Sequence, residues 1–366
     1  MMKKIPFLIA GILITSLVLG QDEESSETKP DKGKIIVSGY TDSYYSYNTN
    51  NPGALGSWGT NGVGRIFDGV HNQVAVNMLQ TKVVYESDRL QIVGDLLFGP
   101  GAELANFGNT GTAYSIKQAY IEYEMVENLT LTVGQFGTHI GYELADAPDN
   151  FNYSISYLFG NGPFYHTGAK LGYSISDKIG VMAGILNGWD ALKDNNLAKS
   201  ISAQISLTPN DDVSIYLNWI GGNEDPSSLT GDSIDSYKHM FDITATFALS
   251  EKFNVGLNIA YGFYNYDTLA TQYWGGTALY LNLIMTDQFS LGTRIEYFED
   301  VSAVQYVGAS YMGYTLTGII KSPNGHFMFK PEIRYDSSNA NIYWDGDAGE
   351  TTNSQMTLGL AFIANF

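Results

Sequence analysis

The sequence lacks cysteine altogether and has few charged residues. Without cysteine the chain cannot have a disulfide framework, a thiolate nucleophile, a cysteine zinc site or a lipoprotein anchor. Charged residues make up 16% of the 366 residues, against about a quarter in typical soluble domains. Their place is taken by 40 glycines, 26 tyrosines and 18 phenylalanines. This composition favours strands and turns over helices.

Basic residues are the scarcest charged type. Lysine and arginine number 19 against 38 acidic residues, which gives a formal net charge of −19. Such a chain repels phosphates, so a nucleic-acid partner is excluded. The only arginines are Arg65, Arg89, Arg294 and Arg334. A dense arginine ladder that selects anions is therefore excluded as well, and the acidic balance predicts a mild preference for cations.

Long hydrophobic runs are missing except at the start of the chain. Lys3 and Lys4 precede the apolar run Ile5–Leu19, which is too short to span a bilayer comfortably. A basic start before such a run is typical of a secretory signal peptide, so we expect residues 1–20 to be removed on export. Loss of the two lysines changes the net charge from −19 to −21.

Residues 21–34 are polar throughout. A segment without apolar side chains cannot bury a core, so we expect a disordered acidic tether in the periplasm. No later apolar run is long enough to predict a transmembrane helix.

From residue 35 onward, apolar and polar side chains alternate in segments of about ten residues. In Leu90–Phe98 most apolar residues share one face, and Gln91 and Asp95 lie on the other. The same alternation recurs in Phe241–Leu249, Val255–Tyr261, Leu279–Met285 and Leu291–Tyr297. A period of two predicts β-strands with one apolar and one polar face.

The connections between these segments alternate in length. Short turns are predicted at 86–89, 126–128, 176–178, 209–212, 250–252, 286–288 and 322–325. Longer loops are predicted near 48–72, 99–113, 138–162, 187–196, 221–237, 264–273, 299–305 and 336–352. Short turns at one rim and long loops at the other are typical of an outer-membrane barrel.

The sequence therefore predicts an all-β protein, a transmembrane antiparallel β-barrel of about 16 strands over residues 35–366, with short periplasmic turns and long extracellular loops. Barrel closure pairs every backbone group, as lipid requires. A soluble β-sandwich would also alternate, but it would not need the rhythm of short and long connections. The last segment places Leu358, Leu360, Phe362 and Phe366 on one face. We expect this face to contact lipid and the strand to close the barrel.

Five stretches carry a family resemblance. They are KQAYIEYE (117–124), GQFGTHIGYE (134–143), NYSISYLFGNGPFYHTGAKLGY (152–173), NGWD (187–190) and PEIRYD (331–336). They resemble the OmpL-like family of outer-membrane beta-barrel porins. The resemblance implies passive diffusion of small hydrophilic solutes and ions through a barrel in outer-membrane lipid, without a cofactor. It also implies that the barrel-insertion machinery reads the terminal Phe366 and that a homotrimer forms.

The third long loop, near 138–162, carries Glu143, Asp146 and Asp149. In porins of this size, to which the resemblance points, this loop folds into the lumen, where these acids would narrow an acidic constriction. Strand positions whose side chains are expected to point into the barrel, called inward phases, supply further lumen candidates. They are Lys82, His166, Lys170, Arg294, Glu296, Lys330, Glu332 and Arg334. Acids on the loop opposite bases on the wall would orient dipolar solutes and sort ions. The alternative is that the loop acids are only solvated.

Charges of alternating sign share one face in the segment that contains Lys330, Glu332, Arg334 and Asp336. We expect them to form a hydrated lumen wall held by ion pairs. Pairs screened by pore water would add little stability.

Aromatic residues cluster at the ends of the predicted strands. They are Tyr44, Tyr45, Tyr47, Tyr120, Tyr123, Tyr261, Phe263, Tyr264, Phe327 and Phe329. We expect them to form girdles at the two membrane interfaces. A stripe of aromatics that guides sugars inside the pore is the alternative.

Enzymatic function finds little support in the sequence. The five histidines are scattered, without a metal-ligand spacing such as HExxH. A barrel phospholipase would need a lipid-facing histidine such as His239 beside a serine, but Ser200 and Ser202 lie on inward phases. Three carboxylates in Asp345–Glu350 could hold calcium, although their spacing matches no standard calcium loop and a solvated acidic loop is expected.

The sequence thus predicts a diffusion porin, not an enzyme, with neither metal nor cofactor. Two alternatives remain open. One is a structural or adhesive outer-membrane barrel whose lumen is blocked, and the other is a barrel phospholipase.

Overall fold

The computed structural model describes residues 32–58, 65–106, 109–196, 198–225, 236–266, 270–300, 302–303 and 308–366. The expected signal peptide, residues 1–20, and most of the expected tether, residues 21–34, lie outside the described residues. Both remain predictions.

Sixteen antiparallel strands close into one barrel. They are β1 (Lys34–Asn48), β2 (Gln73–Glu86), β3 (Leu90–Phe98), β4 (Ile116–Val126), β5 (Leu129–Gly137), β6 (Tyr165–Ser176), β7 (Ile179–Leu186), β8 (Ser200–Asn210), β9 (Val213–Asn223), β10 (Ser236–Ser250), β11 (Phe253–Tyr266), β12 (Gln272–Thr286), β13 (Phe289–Glu299), β14 (Ser310–Lys321), β15 (Phe327–Ser338) and β18 (Ser354–Asn365). Strands that follow one another in this series are neighbours in the sheet. The predicted fold class is confirmed.

The last strand closes the barrel, as predicted. β18 pairs with β15 on one side and with β1 on the other. At the end of this seam the backbones of Gly39 and Phe366 bond to each other twice, with N–O distances of 3.1 and 3.0 Å. Closure leaves no open sheet edge. An open edge would expose backbone groups to lipid, which offers them no hydrogen-bond partners.

The remaining elements are short and lie in the connections. They are the hairpin strands β16 (Tyr343–Asp345) and β17 (Glu350–Thr352), the helices α1 (Pro100–Ala105) and α2 (Tyr157–Gly160), and the 3-10 turns Gly53–Trp58, Gly111–Ser115 and Ala147–Asp149. Within the described part of the chain, no helix has the length and apolar character needed to cross a membrane.

The connections alternate in length as the sequence predicts. Seven connections at one rim contain two to five residues, and the eight at the other rim contain five to 27. The longest lies between β5 and β6.

Side chains alternate between the outside and the inside of the barrel. Along β18, Leu358, Leu360 and Phe362 are exposed on the outside, whereas Ala361 and Ile363 are buried inside. The predicted apolar outer face is therefore confirmed. The inside is partly apolar as well, which the sequence did not lead us to expect.

The aromatic girdle needs a correction at three positions. Tyr44 and Tyr120 are buried inside the barrel, and the Tyr44 ring lies 5.6 Å from that of Tyr153 in the β5–β6 connection. Tyr264 also points inward, with its ring 6.1 Å from Trp274. These rings occupy inward phases, and they are accommodated there because other side chains fill the lumen around them.

The acidic loop 345–350 forms the turn of the hairpin β16–β17. The Asp345 carboxylate accepts hydrogen bonds from the backbone amides of Asp347 and Ala348, each at 3.0 Å. Asp347 accepts one from the Asn51 side chain at 2.8 Å. Among the described residues, no group of three or more histidines and carboxylates is arranged to hold a metal ion.

Candidate functional site in the lumen

The connection between β5 and β6, residues 138–164, packs against inward-facing side chains and is called the third loop below. Its regular structure is limited to the turn Ala147–Asp149 and the single turn of α2. Ser156 caps α2 by accepting a hydrogen bond from the Phe159 amide at 3.0 Å. Most other backbone groups of the loop need partners elsewhere, because buried amides and carbonyls are costly without them. The barrel wall supplies many of these partners.

Two wall arginines form a buried ion-pair cluster that includes an acid of the third loop. Arg294 lies 2.7 Å from Glu143 of the loop and 3.2 Å from Glu296. Arg334 lies 3.2 Å from Glu296 and 2.6 Å from Asp336. All five side chains are at most 3% exposed. The wall members share the inward face because they lie two residues apart on β13 and on β15.

Arg65 joins this cluster from the first long loop. Its guanidinium pairs with Asp68, bonds the Thr357 hydroxyl and lies 4.0 Å from Asp336. Three of the four arginines of the chain are therefore buried in the lumen. Arg65 could not be identified as a lumen residue from the sequence, because a loop has no alternation that would place its side chains inside or outside the barrel.

Basic side chains of β15 bind backbone carbonyls of the third loop. Lys330 Nζ donates to the carbonyls of Ala147 and Asn150, both at 2.7 Å. Arg334 Nη1 donates to the carbonyl of Ile155 at 2.8 Å. These contacts satisfy carbonyls that would otherwise be buried without a partner.

Acidic side chains of the same wall bind backbone amides of the loop. Glu332 accepts a hydrogen bond from the Tyr153 amide at 2.7 Å. Glu296 accepts one from the Tyr157 amide at 2.6 Å. Hydrogen bonds to a charged group are roughly twice as strong as neutral ones. The wall of β13–β15 thus holds the loop by its main chain.

A second anchor lies across the barrel on β10. Asp242 accepts a hydrogen bond from the Gly141 amide at 3.1 Å and is itself held by the side-chain amides of Asn218 and Asn258. The third loop is therefore attached to both sides of the lumen.

The other two acids of the third loop lie near lysines of β2 and β4. Asp146 forms an ion pair with Lys117, which lies 3.7 Å from Asp95. Asp149 is half-buried. Its burial raises the pKa of the carboxyl to about 7, with the charge of Asp146 as the next contribution, while Lys82 acts in the opposite direction.

His166 and Lys170 on β6 face the start of the third loop. The His166 ring lies 2.9 Å from the Thr138 hydroxyl and 2.7 Å from the Trp189 carbonyl. Lys170 Nζ lies 4.5 Å from the centre of the Phe136 ring. Within the described residues, Lys170 has no carboxylate within 4 Å.

Apolar side chains of the third loop fill much of the lumen. Ile140 and Leu158 are each 2% exposed and belong to one cluster with Leu186, Ile220 and Met240 of the wall. A second cluster joins Tyr153, Ile155 and Phe159 to Tyr40, Met78 and Ile363. Apolar packing therefore holds the loop in addition to the charged contacts.

A cavity of about 500 Å³ remains between the third loop and a wall formed mainly by β4–β10. On the wall side its polar lining includes Thr130, Thr132, Gln204, Ser214, Thr244 and Thr246. Hydroxyl and amide groups can replace water around a polar solute. The wall of β4–β10 therefore borders a cavity, whereas Arg294, Glu296 and Arg334 of β13 and β15 are buried in ion pairs.

The predicted site residues all occur inside the barrel, but their charges are arranged differently from the expectation. We expected the loop acids to lie opposite the wall bases with a field across the pore between them, whereas Glu143 of the loop is in direct contact with Arg294 of the wall. We also expected a hydrated wall around Lys330 and Arg334, whereas both side chains are fully buried. The reason is that the third loop packs onto β13–β15 and excludes water there. Sequence reasoning also missed Lys117, although its partner Asp95 has a clear inward phase.

Comparison with known proteins gives one family and a set of similar structures. The family model described as "Putative beta-barrel porin-2, OmpL-like" matches residues 34–366. No curated protein sequence is significantly similar to the chain.

Three solved structures illustrate the structural similarity. An anion-selective porin from Comamonas acidovorans has a TM-score of 0.62 at 9% identity and covers 92% of this chain and 100% of its own. The channel DcaP of Acinetobacter baumannii has a TM-score of 0.58 at 11% identity, covering 91% and 97%. The trimer form of OmpT of Vibrio cholerae has a TM-score of 0.57 at 12% identity, covering 91% and 99%. Identities this low show the fold alone.

Proposed function

Since the chain belongs to the OmpL-like beta-barrel porin-2 family, we propose that it lets small hydrophilic solutes and ions diffuse passively across the outer membrane, in which it is a multi-pass β-barrel. The third loop narrows the path. The observation that carries this proposal is the cavity of about 500 Å³ beside the loop, whose lining includes hydroxyl and amide groups of the barrel wall. Solutes would pass along β4–β10, where hydroxyl groups face the cavity, and not along the clamped wall of β13–β15.

The balance of charge in the cavity supports a mild cation preference. The charged lining residues are Lys117, Glu122, Glu143, Asp146, Asp149 and Lys170. Two of the four carboxylates are compensated by ion pairs with neighbouring cations. Glu122 and Asp149 then remain against the ammonium of Lys170. A small excess of negative charge raises the local concentration of cations.

The test is a measurement of single-channel currents of refolded protein in a planar bilayer, with a salt gradient that gives the reversal potential. We expect steady current steps and a reversal potential on the cation side. Asp149→Asn should shift that potential towards zero, whereas Asp177→Asn, in the exposed turn after β6, should leave it unchanged. Strong anion preference would contradict the assignment of charges, and a folded but silent barrel would contradict the pore itself.

A structural or adhesive barrel with a blocked lumen is the second candidate. Its support is the apolar packing of Ile140 and Leu158 against the barrel wall, since a lumen filled by such side chains offers water no continuous path. A silent barrel whose long loops bind a partner would favour this function over diffusion.

Catalysis receives no support from the positions of the candidate residues. His239 lies on the outside of the barrel, where its ring stacks 4.9 Å from Phe263. Ser200 and Ser202 are buried on the inside, so they do not meet it. A phospholipase assay of the protein and of His239→Ala should give the same background rate. A rate that depends on His239 would establish an enzyme.

We also propose that the barrel assembles as a homotrimer and that its C-terminal strand, ending at Phe366, is recognised during insertion. The trimer form of OmpT supports the first point, because that barrel has a similar fold. Cross-linking in membranes should give a band of three subunits, and a band of one subunit alone would contradict it.

A further inference from the structure

The cavity beside the third loop contains an ammonium group without a carboxylate in contact. Lys170 lines the cavity, and its closest described charge-related contact is the face of the Phe136 ring at 4.5 Å. The two histidines nearby, His139 and His166, lie with their rings 5.5 Å apart and bind backbone carbonyls. Neither carries a negative charge that could neutralise the lysine. An ammonium in this position attracts a negatively charged group of a solute.

A carboxylate of the same cavity is also only lightly engaged. Glu122 lines the cavity and accepts a hydrogen bond from the Thr132 hydroxyl at 3.2 Å. Among the described residues it forms no ion pair within 4 Å. An ionised carboxylate keeps capacity for further donors when only one is bound.

The register of the sheet places these two charges on one lateral row. Glu122 pairs with Thr132, and Thr132 pairs with Lys170. The two charged residues are therefore two strands apart, which corresponds to about 9.6 Å between their backbones. Both residues line the same cavity, so one solute can reach both charges.

A glycine keeps the space beside Lys170 open. Gly184 follows Lys170 in the same row. A Cβ atom at Gly184 would lie 2.6 Å from Ser202 Oγ, which would force the serine side chain to move, and 3.3 Å from Lys170 Cβ, which is a tight contact. The absence of a side chain at Gly184 leaves the lysine and the serine hydroxyl side by side.

We propose that this cavity binds a zwitterion of dipeptide size, with its carboxylate on Lys170 and its ammonium on Glu122. The inference rests on the proposed diffusion function and specifies its substrate class. A simple anion would be repelled by Glu122, and a simple cation by Lys170. A dipeptide separates its two charges by several bonds, so it fits a row that spans two strands better than a single amino acid. The hydroxyl groups of Thr130 and Thr132 lie where they can bind its amide.

The test is calorimetric titration of refolded protein in detergent with glycylglycine. Two analogues each lack one charge: N-acetylglycylglycine has no ammonium, and glycylglycinamide has no carboxylate. We expect each analogue to bind about tenfold more weakly or worse, because a charged hydrogen bond is lost. Equal binding of the acetylated analogue would overturn the proposal in favour of a simple anion site, and lack of glycylglycine binding would also overturn it.

Variants locate the site. Lys170→Met and Glu122→Gln should each weaken glycylglycine binding about tenfold. The matched controls Lys178→Met, in the turn after β6, and Glu124→Gln, two residues further along β4, should bind like the parent. Lys170→Glu and Glu122→Lys should each abolish binding, whereas the double exchange should restore it with the ligand reversed. Failure of the double exchange in a folded barrel would contradict the charge pairing.

Folding and conduction are measured on the same samples. A folded barrel migrates differently on a gel before and after boiling, so each variant is checked for closure before titration. Planar-bilayer currents in potassium chloride report the diffusion function independently of the ligand. A conducting barrel that ignores glycylglycine would refute the zwitterion site and leave the porin intact. A silent barrel that binds glycylglycine would refute the porin and leave the site.

Discussion

The two walls of the lumen both carry charged side chains but use them differently. On β13–β15, Arg294, Glu296 and Arg334 are buried in ion pairs and hydrogen bonds to the third loop. On β4–β10, Glu122 and Lys170 face a cavity. A buried charge must be paired, because desolvation costs several kcal/mol per ion. A charge in contact with water needs no protein partner and is available to a solute. A side chain that points into the barrel therefore does not necessarily line the pore.

The largest effect is expected from a substitution in the buried ion-pair cluster of β13–β15. Arg294→Met leaves Glu143 buried without its cation and Glu296 with Arg334 alone, which should lower the free energy of unfolding by about 3–5 kcal/mol. The loop should also detach, so single-channel current should increase. Urea unfolding and bilayer currents measure the two effects. Arg89→Met, in a short turn, is the matched control. If both variants unfold at the same urea concentration, the cluster does not hold the loop.

The next effect tests the apolar part of the same attachment. Leu158→Ala removes a side chain that is 2% exposed and should cost about 2–4 kcal/mol through the cavity it leaves. Leu360→Ala, on the lipid side of β18, should cost less because lipid fills the gap. Urea unfolding of both variants gives the difference. A larger loss for Leu360→Ala would mean that the third loop is not packed as described.

A smaller effect is expected at the cavity between the third loop and β4–β10. The pKa of Asp149 is raised by burial to about 7, so its carboxyl is neutral below pH 7 and ionised above it. Cation preference should therefore increase as pH rises through 7. Reversal potentials from pH 5.5 to 8.5 measure this change, and Asp149→Asn should remove the part of the curve that is centred near pH 7. A curve of unchanged shape in that variant would assign the titration to another group.

The smallest effect is expected outside both walls. Lys34 and Glu86 form an ion pair at 3.2 Å, with side chains 67% and 45% exposed. Exposed pairs of this kind contribute about 0–1 kcal/mol. Glu86→Gln should thus change the free energy of unfolding within that range, as measured by urea titration at two salt concentrations. A loss of unfolding free energy comparable to that of Arg294→Met would contradict the distinction between buried and exposed ion pairs.

Much of the fold could be predicted from local pattern. Period-two alternation places Arg294, Glu296, Lys330 and Arg334 on inward phases, and the lengths of the connections give the number of strands. Both features are properties of short segments, so they can be read without knowledge of tertiary contacts. The same holds for the lipid-facing side of β18.

The arrangement of the third loop could not be predicted in this way. Whether Glu143 faces water or touches Arg294 depends on where the loop lies in three dimensions. Arg65 lies in a loop, where no periodicity applies. Aromatic rings are common at membrane interfaces, yet Tyr44 and Tyr120 are buried inside the barrel. Their positions in the strand alternation indicate this location, whereas their residue type alone indicates the girdle.

The clamp on the third loop also sets an order of assembly. Glu143 and Arg294 are separated by 151 positions in the sequence, and Ile155 and Arg334 by 179. Contacts this distant cost less loop-closure entropy once the strands between them are already paired. We therefore expect the loop to lock after β13 and β15 have joined the sheet, through a stage in which the barrel wall exists while the lumen is still wide.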